Sequence, residues 1–167
     1  IAAGLYAANM PAEVGGAGLD TLTWVLYEKE LGRANYALHW TCVGRPSNIL
    51  MACRGEQREK YLFPAVRGEI ADCLAMTEPD VGSDLRGMKT FARKDGDDYV
   101  INGEKIYVTA GSRASHIVVW ATLDKTKGRA AIKSFIVPRE YPGVTVERLE
   151  HKLGIKASDT AAIRFDN

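Results

Sequence analysis

Cysteine, histidine and unbalanced charge are all scarce in this sequence. Its 167 residues include three cysteines and three histidines, and 22 basic residues nearly balance 21 acidic ones, for a net charge of +1. No basic stripe indicates a nucleic-acid surface, and no apolar run approaches the roughly 20 residues that a membrane-spanning helix needs. The apolar fraction of 46% is that of an ordinary globular protein.

The few cysteines and histidines are too widely spaced for a metal site or a disulfide framework. Cys42, Cys53 and Cys73 contain no Cys-x-x-Cys pair and have apolar neighbours, so we expect buried free thiols in a reducing compartment. The histidines show no metal-ligand spacing, and a lone histidine is more often structural than catalytic. We therefore predict that the chain binds no metal.

The first part of the chain, residues 1–70, has the pattern of a partial helical domain. Asp20 is suited to cap a helix over residues 21–31, and Gly32 is suited to end it. The apolar residues of this helix are spread around its circumference, which predicts that it is covered on more than one side. Further helical segments are predicted at residues 38–53, 56–62 and 64–67.

The second part of the chain changes to a strand pattern. Asp95-Gly96 and Asn102-Gly103 are strong hairpin-turn signals, and residues 116–123 form an apolar, β-branched run suited to a buried strand. Strands are predicted at residues 73–76, 89–94, 98–102, 104–109, 116–123, 131–137, 144–149 and 160–165. Many short strands with tight turns between them imply an antiparallel β-barrel or sandwich.

Together these patterns predict an α+β chain, with a partial helical domain over residues 1–70 and a β domain over residues 71–167. The sequence begins with Ile1 rather than methionine and stops at Asn167, directly after a predicted strand. We therefore expect both ends to be cuts in a longer protein, so the sequence carries no information on targeting.

A polar loop directly after the first predicted strand is the best candidate for a functional site. The apolar residues 73–76 are followed by Pro79, which cannot continue strand pairing. Hydroxyl and carboxylate groups are concentrated in this loop: Thr77, Glu78, Asp80, Ser83 and Asp84. Loops that leave a buried strand near a domain boundary favour ligand binding. The alternative interpretation is a plain turn around Pro79 with Ser83 as a helix cap.

The loop sequence Thr77-Glu-Pro-Asp-Val-Gly-Ser-Asp84 resembles the Thr-Glu-Pro-x-x-Gly-Ser-Asp signature of the acyl-CoA dehydrogenases. Further stretches resemble other motifs of this family, in the family's order: Met10-Pro-Ala-Glu-Val-Gly-Gly16, Gly55-Glu-Gln-Arg-Glu-Lys-Tyr-Leu-Phe-Pro64, Asn102-Gly-Glu-Lys-Ile-Tyr-Val-Thr109 and Leu153-Gly-Ile-Lys-Ala-Ser-Asp-Thr160. The resemblance extends over essentially the whole chain. Each motif is moderately specific, and the ordered series is strong.

The resemblance implies FAD as cofactor and the oxidation of an acyl-CoA thioester, in fatty acid metabolism, to its trans-2-enoyl form. In this family a base removes the α-proton while the β-hydrogen leaves as a hydride to flavin N5. Electrons then pass to an electron-transferring flavoprotein. The family's catalytic glutamate lies in a C-terminal four-helix domain, which we expect to be absent here, so no catalytic residue is assigned. The resemblance also implies a homo-oligomer, either a tetramer or a dimer.

The resemblance implies seven cofactor-binding residues: Leu74, Met76, Thr77, Ser83, Tyr107, Val108 and Thr109. Thr77 and Thr109 are expected to supply polar groups near flavin N5, the end of the ring whose hydrogen bonds tune its chemistry. Tyr107 is expected to pack on the ring, although a lone tyrosine is more often a core aromatic. Ser83 is expected to contact both the cofactor and the CoA part of the substrate.

The sequence departs from the family pattern at several positions. Asp80-Val81 stands where Gly-Ala is usual, and a carboxylate beside a cofactor diphosphate is repulsive unless it points to solvent. Tyr107 occupies a position where tryptophan is common. Lys156 stands where arginine is frequent, which removes a bidentate donor. These departures bear on the substrate, and the sequence does not determine its acyl-chain length or branching.

Two other functions are compatible with the sequence. An acyl-CoA oxidase or a flavin monooxygenase of the same superfamily has the same fold but lets oxygen react with the reduced flavin. A non-catalytic β-sandwich binding module with a helical lead-in has the same elements and no flavin. The ordered series of motifs has no explanation under that second alternative.

Overall fold

The computed structural model describes residues 5–34 and 46–167. The chain divides into two compact units, Ile1–Ala71 and Asp72–Asn167. The first is helical and the second is built around a β-sheet, so the predicted α+β class is confirmed. Residues 38–45 of one predicted helical segment, together with Cys42 and His39, lie outside the described residues.

Helix α1 spans Thr21–Leu31 and has the ends that the sequence predicts. The side chain of Asp20 accepts a hydrogen bond from the backbone N–H of Thr23 at 3.0 Å, and Gly32 follows the last residue. Three apolar side chains of this helix are more than half exposed: Leu22, Val25 and Leu26. The predicted cover on several sides of α1 is therefore not provided by the described residues.

The structure joins parts of the two helical segments predicted at residues 56–62 and 64–67 into one continuous helical stretch that runs through Pro64. A π-helical turn at Arg58–Leu62 leads directly into helix α2, Phe63–Val66. The N–H of Phe63 donates to the carbonyl oxygen of Arg58, five residues back. A proline ring in a regular α-helix clashes with the carbonyl four residues earlier, and this wider turn lets the helix continue.

The β unit contains seven strands: β1 Asp72–Ala75, β2 Phe91–Asp95, β3 Asp98–Thr109, β4 His116–Thr122, β5 Ile132–Pro138, β6 Val144–Leu149 and β7 Thr160–Phe165. They form one sheet, in which β3 pairs with both β2 and β7. The predicted hairpin at Asp95-Gly96 joins β2 to β3, with Asp95 opposite Asp98. The buried strand predicted around residues 116–123 is β4, in which Trp120 is the one position that is not fully buried.

The strand pairing is mixed, whereas the sequence predicted only antiparallel pairs. Strand β4 pairs antiparallel with β5 along one edge and parallel with β1 along the other. The end of β4 also pairs in parallel with β2, where Thr122 lies opposite Phe91. A parallel pair needs a long connection between its strands, and the β2–β3 hairpin lies within the connection from β1 to β4. Tight turns in the sequence report only on strands that are adjacent in the chain.

The Asn102-Gly103 pair is not a turn, which corrects the prediction that two strands meet there. Asn102 lies opposite Phe91 of β2, and the next residue, Gly103, lies opposite Phe165 of β7. Gly103 has φ +152°, and a Cβ on it would lie 2.4 Å from Oγ1 of Thr90. The glycine therefore lets β3 pass close to Thr90 as it changes partners.

The core of the β unit lies between β1 and β4 on one side and β3 and β7 on the other. Its buried members are Cys73, Ala75, Val108, Ala114, Ile117, Val119, Ala161, Ile163 and Phe165. Cys73 and Cys53 are buried free thiols, as predicted, and burial raises the pKa of the Cys73 thiol to about 12. Among the described residues no helix is long and apolar enough to cross a bilayer.

Candidate functional site

The structure brings together the polar loop after β1 and the end of β3. The backbone N–H of Ile106 donates to the carbonyl oxygen of Thr77 at 2.9 Å. This bond places Thr77 beside the residue that precedes Tyr107. The two motif segments that the sequence singles out therefore lie next to each other, although Thr77 and Ile106 are 29 positions apart in the chain.

Strand alternation gives these two segments an outward-facing surface. Leu74 is 44% exposed while its neighbours Cys73 and Ala75 are buried. In β3, Tyr107 is 62% exposed and Thr109 is also exposed. Met76 and Thr77 are half-buried. We call the surface formed by Leu74, Met76, Thr77, Tyr107 and Thr109 the β1–β3 face.

Two of the seven predicted residues differ from this group. Val108 is buried, belongs to the core cluster and pairs with Ala161 of β7. Ser83 is exposed and lies farther along the polar loop. Five of the predicted residues are thus exposed or half-buried on the two neighbouring segments, whereas Val108 is buried and Ser83 follows in the loop.

Tyr107 adopts an unusual backbone conformation. Its φ is +58°, a region that side chains with a Cβ rarely occupy. The register between β3 and β7 shifts between Lys105 and Val108, which marks a β-bulge around Tyr107. Because of the bulge, Lys105 and Ile106 are both buried, and Tyr107 then points outward. Bulges and strained residues of this kind are common beside functional sites.

The polar loop begins with a tight turn, as the alternative interpretation of the sequence proposed. Glu78 and Val81 exchange two backbone hydrogen bonds, of 2.9 and 3.1 Å, around Pro79 and Asp80. The cap predicted at Ser83 is instead Asp84, whose side chain accepts from the backbone N–H of Arg86 at 3.1 Å. A second side-chain contact, between Asp84 and the Arg86 guanidinium, lowers the pKa of that carboxyl to about 2.

Asp80, the carboxylate by which this loop departs from the motif that it resembles, has a partner. Asp80 contacts the ammonium group of Lys89, and both side chains are about two-thirds exposed. Val81, the other unusual residue, is buried. The carboxylate therefore points toward solvent and is paired. Beside it a cleft of about 350 Å³ extends toward Phe91 and Lys125.

Beneath the polar loop lies a buried ion pair that the sequence analysis missed. Nζ of Lys105 lies 2.9 Å from Oε1 of Glu78, and the two side chains are 0% and 3% exposed. Glu78 also accepts hydrogen bonds from the backbone N–H groups of Lys89, at 2.7 Å, and Thr90, at 2.9 Å. Lys105 also donates to the carbonyl oxygen of Met76 at 2.9 Å. The sequence feature that could have indicated this pair is a lysine within a predicted strand, next to the apolar Ile106.

The surroundings of this pair keep Glu78 ionised. Burial acts to raise the pKa of Glu78, but hydrogen bonds from Thr90, Lys105 and the backbone of Lys89 outweigh it and hold that pKa below its usual value. Burial lowers the pKa of Lys105, and the adjacent Glu78 opposes that change. The pair is therefore a charged, hydrogen-bonded link between loop and strand.

The chain after Thr109 is fixed by a second acidic residue. Asp159 accepts hydrogen bonds from the N–H and Oγ of Ser112, at 2.9 and 2.8 Å, and from Nε of Arg113 at 2.7 Å. The backbone N–H of Ala110 donates to the Asp159 carbonyl oxygen at 3.1 Å. Burial acts to raise the pKa of Asp159, but these hydrogen bonds outweigh it and lower that pKa. Hydrogen bonds to Thr77 and to Asp159 thus fix the chain before and after Tyr107.

The β1–β3 face combines an aromatic ring, an aliphatic side chain and two threonine hydroxyls, one just after β1 and one at the end of β3. Such a surface suits a flat ligand with an apolar face and a polar edge. Within residues 5–34 and 46–167, no group of three or more His, Cys, Asp or Glu side chains is arranged to hold a metal ion.

Comparison with known families identifies the class of protein that has this fold and these motifs. Residues 73–167 match the acyl-CoA dehydrogenase middle domain, and residues 1–69 match the acyl-CoA dehydrogenase N-terminal domain. The chain belongs to the acyl-CoA dehydrogenase family, whose members are oxidoreductases. The resemblance stated from the motifs is confirmed.

Curated relatives align over nearly the whole chain. A 3-(aryl)acrylate reductase from Clostridium sporogenes is 36% identical over 98% of this chain and 45% of its own length. The short-chain specific acyl-CoA dehydrogenase of Mus musculus mitochondria is 35% identical over 98% of this chain and 41% of its own length. The chain thus spans less than half the length of these relatives.

Several solved structures superpose closely on this chain. The prolyl acyl carrier protein oxidase AnaB is 32% identical with a TM-score of 0.86, over 99% of this chain and 46% of its own. A Mycobacterium smegmatis glutaryl-CoA dehydrogenase in complex with FADH2 is 31% identical with a TM-score of 0.84, over 98% and 42%. A chain from a structure described as the electron transferring flavoprotein of Acidaminococcus fermentans is 34% identical with a TM-score of 0.83, over 94% and 42%.

Proposed function

We propose that the protein is an FAD-dependent acyl-CoA dehydrogenase that oxidises an acyl-CoA thioester to its trans-2-enoyl form. Bound FAD would accept the β-hydrogen as a hydride at flavin N5 while a base removes the α-proton. The observation that carries the proposal is the hydrogen bond between Ile106 and Thr77, which lies between the two segments that carry the family's signature motifs. Relatives with acyl-CoA dehydrogenase activity and a relative that binds FADH2 support the same chemistry.

The residues of the β1–β3 face fit one side of a flavin ring. Tyr107 offers an exposed aromatic ring for stacking, and Leu74 extends the apolar surface. Thr77 and Thr109 offer hydroxyls and backbone groups for the polar edge near N5, and Met76 and the Val108 backbone lie beside them. Ser83, exposed in the loop, would contact the cofactor and the CoA part of the substrate.

The remaining parts of the active site are proposed to lie outside this chain. The base is proposed to be a glutamate in a C-terminal four-helix domain, and a second subunit of a dimer or tetramer would complete the FAD site. An electron-transferring flavoprotein is proposed as the electron acceptor, in fatty acid metabolism, and the similarity to a chain from such a structure supports this partner.

Anaerobic titration of the purified full-length protein with a series of saturated acyl-CoA thioesters tests this function. We expect the protein to carry FAD, its visible absorbance to bleach on mixing, and the product to be the trans-2-enoyl thioester. The substrate that bleaches it at the lowest concentration defines the chain length. A full-length protein that binds no flavin, or whose flavin is unchanged by every thioester, would contradict the proposal.

An oxidase is the second candidate, because AnaB, a carrier-protein oxidase, superposes with a TM-score of 0.86. An oxidase or monooxygenase differs from a dehydrogenase in how its reduced flavin reacts with oxygen. Stopped-flow mixing of the reduced full-length protein with air-saturated buffer separates them. Slow reoxidation in air together with fast reoxidation by an electron-transferring flavoprotein is expected for the dehydrogenase, and the reverse order indicates an oxidase.

A further inference from the structure

The buried pair of Glu78 and Lys105 has no direct role in the proposed chemistry, because neither side chain reaches the surface. It nevertheless joins four stretches of chain. Lys105, in β3, bonds the carbonyl of Met76 at the exit of β1 and the carboxylate of Glu78 in the turn. Glu78 in turn binds the backbone N–H groups of Lys89 and Thr90, just before β2.

Stability alone does not explain such a pair. Removing two charges from water costs several kcal/mol per ion, and well-packed apolar replacements of buried pairs are often neutral or stabilising. An apolar replacement cannot make directional hydrogen bonds to the backbone. Two charged groups with four hydrogen bonds between them and their surroundings fix the backbone to which they bond, since each bond has a narrow range of distance and angle.

The backbone that this pair fixes belongs to the β1–β3 face. Lys105 bonds the carbonyl of Met76, and the neighbouring residues Thr77 and Ile106 share the next backbone bond. The strained Tyr107 follows immediately. A shift of the Met76–Thr77 backbone would therefore change the distance between Thr77 and Tyr107.

We propose that Lys105 and Glu78 are positioning residues of the flavin site, which hold the Met76–Thr77 backbone against the Tyr107 bulge so that both sides of the face meet one ring. This inference rests on the proposed function for the identity of the ring. It predicts that the pair can be replaced without loss of the fold, but not without loss of the cofactor geometry.

The test compares two variants in the full-length protein. Lys105→Met keeps the apolar stem and removes the ammonium group, which leaves the carboxylate of Glu78 buried and destabilises the protein. Glu78→Gln/Lys105→Met removes both charges, and the glutamine amide oxygen retains an acceptor for one of the two backbone N–H groups, that of Lys89 or that of Thr90. We expect the double variant to recover part of the stability. Ile117→Ala, which makes a cavity in the core and removes none of these hydrogen bonds, is the control for lost stability alone.

The first readout does not need flavin. Hydrogen exchange of the peptide that contains Ile106 reports on its bond to Thr77, and exchange of β4 peptides reports on the whole unit. In the double variant we expect the Ile106 peptide to exchange about tenfold faster while β4 is unchanged, because one charged anchor of the loop is lost. The control should accelerate both peptides together. Equal acceleration everywhere in the double variant, or its failure to fold, would overturn the positioning role.

The second readout is FAD binding by the apoprotein and the visible spectrum of the bound flavin. We expect the double variant to bind FAD about tenfold or more weakly, as for the loss of one charge-assisted contact, with an altered spectrum, and the control to retain the wild-type spectrum. Wild-type affinity and spectrum in the double variant would overturn the inference and leave the proposed function intact. A wild-type protein without flavin would instead overturn the proposed function, and with it the cofactor part of the inference.

Discussion

Tyr107 has both a strained backbone conformation and an exposed side chain. Its φ of +58° costs roughly 1–2 kcal/mol for a residue with a Cβ, and its ring is 62% exposed, so packing within this chain returns little of that energy. The bulge holds the residue in this conformation with its ring directed outward. Strain of this kind persists where surrounding structure imposes it, and it is common at ligand-binding sites.

Two substitutions of Tyr107 distinguish the effect of backbone strain on stability from the effect of the aromatic ring on FAD binding. Tyr107→Gly removes the Cβ that makes φ +58° unfavourable, whereas Tyr107→Ala keeps it. We expect the glycine variant to be about 1 kcal/mol more stable than the alanine variant in urea unfolding. Both should bind FAD more weakly than the wild type, since both lack the ring. Equal stability of the two variants would show that the backbone there is not strained.

The lowered pKa of Glu78 predicts that the folded protein loses stability in acid. The native environment holds its pKa below the usual value of 4.5, so the unfolded chain binds the proton more readily than the folded one. The stability that Glu78 contributes is therefore present above pH 4.5 and is lost as the pH falls through the native pKa. Urea unfolding of wild type and Glu78→Gln across this range should show the wild type losing stability relative to the variant. A constant difference between them would contradict the assignment.

At the scale of elements, β3 organises the β unit because it belongs to two halves of the sheet. It pairs with β2 up to Asn102 and with β7 from Gly103 onward. The bulge at Tyr107 follows on the β7 side, and the polar loop contacts the strand at Ile106. One continuous strand thus carries the change of partners, the loop contact and the exposed ring.

Gly103 is expected to be essential for this strand. A Cβ there would lie 2.7 Å from the backbone Cα of Thr90, which cannot move away as a flexible side chain can. We expect Gly103→Ala to lower the free energy of unfolding by about 2–4 kcal/mol. Gly82→Ala is the matched control, because a Cβ at Gly82 meets nothing within 4 Å. Chemical denaturation gives the free energy of unfolding of both variants. Similar losses of stability in the two would contradict the close approach of Gly103 to Thr90.

The sequence predicted the elements better than it predicted their connections. Asp20 and Gly32 marked both ends of α1 because caps act locally. Asn102-Gly103 was misread as a turn, since the same dipeptide that favours a hairpin also suits a strand that passes close to Thr90. The parallel β1–β4 pair was missed because it depends on residues far apart in the chain.

The candidate site was predictable where it follows the family motifs and not where it depends on buried charge. The two signature segments led directly to Thr77 and Tyr107, which the structure brings together. Glu78 and Lys105 lie inside those same motifs, yet composition alone gave no reason to pair a loop carboxylate with a strand ammonium. That pairing follows only from the register that brings β3 beneath the polar loop.

For the molecule as a whole, the family explains features that the chain alone does not. The ordered motifs and the family match leave the non-catalytic sandwich without support. The exposed apolar side chains of α1, including Leu22 and Val25, are covered by none of the described residues. Both points agree with the proposal that this chain supplies one part of a larger flavin site.

The isolated chain should therefore bind FAD weakly or not at all and show no turnover. The proposed site has one face here, and the base and the remaining cofactor contacts are proposed to lie elsewhere. Residues 1–167 can be expressed and titrated with FAD while flavin fluorescence is followed. Isolation of the chain with tightly bound yellow flavin would contradict this prediction.

The most direct measurement is a crystal structure of the full-length protein with FAD bound. We expect the flavin ring to lie against the β1–β3 face, in contact with Thr77 on one side and with Tyr107 and Thr109 on the other. A ring bound elsewhere, or one that touches only one of these two segments, would contradict the central claim.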